Sequence, residues 1–132
     1  MSELLPVTLT SAAAAAILAI WLMIRVGQVR TTEKVSVGDG GNDKVIRRMR
    51  AHANYIENTP FVLVLIAAIE ISGKGEPWLA YVAGLYFLGR IAHAFGMESG
   101  DGPPMRIVGT IITMLTLLGL GVVAALITMG IM

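Results

Sequence analysis

No cysteine occurs in the 132-residue chain. That excludes disulfides, thiolate metal sites and a cysteine nucleophile. Any thiol chemistry must therefore use a thiol carried in by the substrate. Histidine is nearly as scarce: His52 and His93 are too few for a histidine-rich metal site, and no metal is expected. Charge is thin as well. Asp, Glu, Lys and Arg make up 14% of the residues, against about 25% in soluble domains. A net charge of +1 gives no basis for bulk nucleic-acid binding. What is abundant is apolar: 55% of residues are hydrophobic, gathered in long runs. The chain reads as a single all-α integral membrane domain.

Four helices are expected, over residues 4–29, 43–72, 77–97 and 105–131. The first apolar run is uncharged from Ala12 to Ile24. Met1-Ser2-Glu3 offers no positive leader and the run is too long for a signal-peptide core, so a retained transmembrane helix is expected. Trp21 suits the interfacial belt, and Arg25 could snorkel to the headgroups. The turn-rich stretch Val35 to Asp43 lacks the Gly-Lys-Ser/Thr of a phosphate-cradling loop and is read as a connection. Asn42 or Asp43 would cap the following helix. Later in the chain, Glu70 is expected to be interfacial or structural, and Gly109, Gly119 and Gly121 should permit close helix contacts.

Polar residues concentrate in the stretch Arg47 to Pro60. The apolar run behind it, Pro60 to Ile71, spans only about 18 Å as a helix, against a hydrocarbon core of about 30 Å. A helix crossing here must carry polar groups at bilayer depth, where a central Arg or Asp costs on the order of 2.5–3.5 kcal/mol. Arg47, Arg50, Asn54 and Glu57 recur at i, i+3, i+7 and i+10, which is one face. Two readings stay open. The face could hold a zwitterionic ligand with carboxylates and an ammonium, or form an internal ladder from Arg50 to Glu57 through Asn54. On the third helix Tyr86, Arg90, His93 and Met97 share a face, with Arg90 either snorkelling or serving the site. Arg106 falls in the first turn of the fourth helix, where a cation opposes the macrodipole. Its partner must come from Glu98, Asp101, a headgroup or an anionic ligand.

The spacing Arg50-Ala51-x-x-Asn54-x-x-Glu57-x-x-Pro60 resembles the second-helix signature of the MAPEG family, the membrane-associated proteins in eicosanoid and glutathione metabolism. The chain is also similar to the small bacterial members, which carry similar Val-Ser-x-Gly-Asp-Gly-Gly and Arg-Ala-His stretches. The resemblance implies a four-transmembrane-helix bundle assembled as a homotrimer, with glutathione in clefts between subunits. It implies that Arg106 activates the thiol and that Arg50, Asn54 and Glu57 hold glutathione, Glu57 facing the ammonium. Arg30 would grip a carboxylate, and His52 would keep a hydrogen-bonding role. His93 would lie beside the ligand, and Arg90, on the same helix face, is a glutathione-binding candidate with it. Asn58, His93 and Met97 stand where relatives have tyrosines, so substrate preference does not carry over.

The implied activity is a detoxifying glutathione transferase or peroxidase acting on lipophilic small molecules in the bilayer. A thiol of ordinary pKa, about 8.5, is mostly protonated at neutral pH, and only the thiolate attacks. A guanidinium stabilises that anion and cannot give up its own proton. A charge-assisted hydrogen bond of roughly 1.5–3 kcal/mol would lower the pKa by a unit or more, at about 1.4 kcal/mol per unit. The alternative of the same fold is a non-catalytic lipid-binding scaffold. A drug/proton antiporter is disfavoured because the first helix lacks a carboxylate. All basic residues except Lys74 fall on the side of the first and third loops. The positive-inside rule makes that side cytoplasmic, with the site opening there and both termini across a bacterial inner membrane.

Overall fold

The computed structural model describes residues 4–99 and 104–132. Four helices follow one another: α1 (Pro6–Glu33), α2 (Asp43–Ile71), α3 (Trp78–Ser99) and α4 (Pro104–Thr128). The sequence boundaries hold to within a few residues, with one clear extension. α1 continues a turn past Val29, through Arg30 and two threonines, and stops where Lys34 turns left-handed at φ 61°. A helix satisfies its own backbone whether lipid or water surrounds it, so polarity alone did not end it. α2 begins where Asn42 accepts hydrogen bonds from the Lys44 and Val45 amides at 2.9 and 3.1 Å. It runs through Pro60 as one element.

Three helices, α1, α2 and α4, are long and apolar enough to cross a membrane. α3 falls outside that group, because Arg90 and His93 interrupt its apolar residues. Its 22 residues nevertheless reach about 33 Å at ~1.5 Å per residue.

Apolar residues cover the outside as well as the inside. Ile17, Phe61, Leu88 and Leu118 are each about two-thirds exposed, as expected where lipid or another subunit, not water, is the surroundings. The core lies in two parts. The larger packs Val62, Ile66 and Ile69 of α2 against Leu79, Ala83, Tyr86 and Phe87 of α3. The smaller joins Leu22, Ala51, Tyr55 and Ala94 nearer the first loop. Among the described residues α1 touches α2 and α3 but not α4.

Glu70 is structural, as expected. α1 starts without a side-chain cap of its own at Leu5. The Glu70 carboxylate supplies it from the end of α2, accepting from the Val7 and Thr8 amides at 2.8 and 2.7 Å. An anion there complements both the free N–H groups and the helix dipole.

Candidate functional site

The site forms where α2, α3 and α4 converge, and the Arg90 guanidinium is its centre. Only 3% of Arg90 is exposed, so it does not snorkel. Nη1 donates to Thr113 Oγ1 at 2.8 Å and Nη2 to Asn54 Oδ1 at 2.6 Å. Nη2 also lies 3.5 Å from His93 Nδ1. Nε is buried with no partner among the described residues. No carboxylate there forms an ion pair with Arg90. A buried cation met only by neutral groups is costly unless an anion completes it.

Asn54 is held from two sides. Besides Arg90, Asn58 Nδ2 reaches Asn54 Oδ1 at 3.3 Å and the Asn54 carbonyl at 2.8 Å. Deeper in the bundle, Thr59 and Tyr86 share a hydroxyl–hydroxyl bond of 2.9 Å, and Tyr55 donates to the Ala15 carbonyl at 2.6 Å. These polar groups are satisfied internally.

α4 is brought in by glycine. A Cβ on Gly109 would meet His93 Cβ at 2.5 Å and the Gly89 carbonyl at 2.7 Å. A Cβ on Gly96 would lie 2.2 Å from the Arg106 backbone nitrogen. The two backbones approach because side chains are absent at these points. This sets Arg106 beside the turn of α3 that carries His93. Gly109 behaves as expected, whereas Gly119 and Gly121 have nothing within 4 Å. Gly89 and Gly96 were not anticipated. Their seven-residue spacing on the face shared with His93 was the available signal. Thr113 was also missed, although it sits seven residues after Arg106 on one face of α4.

Of the two readings of the α2 face, the internal ladder does not form among the described residues. Arg50 and Glu57 are exposed, and among the described residues neither makes a hydrogen bond or ion pair. Arg47 turns back to Asp43 at 3.9 Å, and Asn54 is taken by Arg90. Arg50 and Glu57 thus flank Asn54 on an open face of α2. Two expected ligands lie elsewhere. Arg30 folds over the first loop, donating to the Gly38 and Val35 carbonyls at 2.6 and 3.3 Å. His52 is two residues from Arg50 and Asn54, hence about 200° around the helix from their face at ~100° per residue. Within one chain the structure brings Asn54, Arg90 and His93 together. Arg106 is exposed, its backbone seated on α3 at Gly96; Arg50 and Glu57 lie exposed on α2, and Arg30 and His52 stand apart.

Glu98 is engaged away from Arg106. Its carboxylate takes a two-point grip from Arg25, through Nε at 2.6 Å and through Nη2. Arg48 approaches it at 3.5 Å and donates to the Arg25 carbonyl at 2.8 Å. Arg25 does not reach for headgroups. Its guanidinium lies 5.0 Å from the Trp21 ring centre and 5.1 Å from that of Phe95. The other acidic candidate for Arg106, Asp101, lies outside the described residues.

A helical bundle with an apolar exterior and a cationic, amide-lined centre defines an integral membrane protein built around an internal polar site. The chain belongs to the MAPEG family, whose family model matches residues 8–126. It is similar to the inner membrane protein YecN of Escherichia coli strain K12, and equally to that of strain CFT073. Each is 32% identical over 72 residues, covering 54% of this chain and 54% of the relative. The chain thus spans about half the length of the curated relatives it matches.

Proposed function

We propose that the protein is a glutathione-dependent transferase or peroxidase that stabilises a glutathione thiolate for attack on lipophilic electrophiles or hydroperoxides. One observation carries this reading: Arg90 is a buried cation with no carboxylate partner among the described residues, at the meeting point of three helices. Glutathione brings two carboxylates, an ammonium and a thiol. Arg90, Arg50 and Arg106 offer cations, Glu57 an anion, and Asn54 an amide already oriented by Arg90. Arg106 would hold the thiolate, and its guanidinium needs no change of protonation to do so. His93 Nδ1 faces a permanent cation, so the neutral tautomer with its proton on Nε2 is favoured, leaving an N–H to donate toward a ligand.

In this reading all four helices cross a bacterial inner membrane, and the site opens toward the cytoplasm. Three chains assemble, and a neighbouring subunit covers the open face bearing Arg50 and Glu57. That neighbour would also bring Arg30 or His52 to a site its own chain does not complete.

The experiment is to add glutathione to purified protein and follow the ultraviolet absorbance of a thiolate. A saturable rise, lost in Arg106→Ala, is expected. No rise at saturating glutathione refutes the reading. Native mass spectrometry should show three chains, and a monomer would remove the shared cleft.

The lipid-presenting alternative draws on a different observation. An apolar groove of about 370 Å³ runs between α1 and α3, lined by Val7, Ala14, Ala83 and Phe87 among others. It would hold an acyl chain with no thiol chemistry. A co-purifying lipid, no thiol turnover and a dispensable Arg106 would favour it.

A further inference from the structure

We infer that Arg25 and Glu98 are positioning residues for Arg106: their clamp fixes the last turn of α3, on which the first turn of α4 is seated. This rests on the reading of Arg106 given above. Glu98 is poorly placed for its own helix, since an anion at a C-terminus opposes the dipole. Nor does it serve Arg106, the misplaced cation at the start of the next helix. It is held instead by α1 through Arg25 and by α2 through Arg48. The pair is mostly shielded, at 18% and 16% side-chain exposure, and Arg25 is further fixed against Trp21 and Phe95. Such a two-point, partly buried pair holds geometry better than a surface ion pair.

The clamp grips the same turn that touches α4. Gly96, two residues before Glu98, presents bare backbone to the Arg106 nitrogen and Cα, where an added Cβ would lie at 2.2 and 2.6 Å. A final helical turn lacks continuing backbone bonds and frays readily. α3 has no basic residue in its last turn to steady its carbonyls. Ser99 Oγ returns to the Gly96 carbonyl at 3.1 Å, and the clamp supplies the remaining restraint. If this turn loosens, the seat of Arg106 loosens with it, and a guanidinium displaced from a thiolate loses its hold on that charge.

The chain is free of cysteine, so two can be introduced cleanly. Spin labels on Ser99→Cys and Ile107→Cys, both at exposed positions, report the distance between the end of α3 and the start of α4. In Glu98→Gln a broadened distance distribution is expected. At saturating glutathione the same variant should hold about tenfold less thiolate at neutral pH, as one unit of thiol pKa implies. Its affinity for S-methylglutathione, which has no ionisable thiol, should stay within about twofold. Arg25→Lys, which keeps the charge and one hydrogen bond, should recover much of the thiolate signal. An unchanged distance distribution overturns the inference. So does a loss of thiolate and of S-methylglutathione affinity in equal measure, since that marks a merely structural role. Should Glu98→Gln not fold, Arg48→Gln removes the 3.5 Å arm of the clamp together with the 2.8 Å bond to the Arg25 carbonyl, leaves the Arg25–Glu98 pair in place, and should give the same changes in weaker form. If the unaltered protein raises no thiolate at all, the proposed function fails, while the spin-label distances still decide the clamp.

Discussion

Gly96 and Arg106 touch backbone to backbone, with no room for a methyl group between them. A Cβ on Gly96 would stand 2.2 Å from the Arg106 nitrogen, and backbone cannot move aside as a flexible side chain can. Gly96→Ala should therefore push the start of α4 away and lower stability by about 1–3 kcal/mol, the usual cost of overpacking. Gly119→Ala is the control. Nothing lies within 4 Å of its added carbon, so it should stabilise by about 0.5–1 kcal/mol through helix propensity. Thermal unfolding in detergent reads both, and a harmless Gly96→Ala would contradict the close contact.

Asn54 and Arg90 are coupled asymmetrically. Asn54→Ala removes the acceptor at 2.6 Å and leaves the cation buried, which should cost about 1.5–3 kcal/mol. Arg90→Met deletes the charge that needs satisfying, so it should cost less stability while abolishing glutathione binding. Denaturant unfolding with calorimetric titration separates the two effects. Equal stability losses would mean that the cation is not under strain in the empty site.

The Glu70 cap reaches across more than sixty residues of chain. Glu70→Ala should free the Val7 and Thr8 amides and lower stability by roughly 0.5–2 kcal/mol, the range of an ordinary N-cap. Hydrogen exchange at those two amides should accelerate while α4 is unaffected. Exchange at unchanged rates would show that the cap contributes nothing.

Orientation can be read directly. A periplasm-activated reporter fused after Met132 should be active, and one inserted at Gly40-Gly41 inactive. The reverse pattern would invert the proposed orientation and turn the site away from cytosolic glutathione.

Much of the architecture could be read from residue order, because its causes are local. Ala12 to Ile24 has nothing polar to lose in lipid, Asn42 can cap its own helix, and Arg50, Asn54 and Glu57 share a face by helical period. The same period put Tyr86, Arg90 and His93 together. What residue order left open was which of these groups meet across helices. Arg90 could equally have snorkelled, and Glu98 could equally have paired with Arg106. Those choices depend on how closely backbones pack at Gly89, Gly96 and Gly109, and on Arg25 reaching Glu98 across 73 positions of chain. A helical pattern specifies a direction around one axis. Distances between axes arise only when all the faces are packed at once, and it is there that Arg90 became a buried cation and Arg30 and His52 were set apart from it.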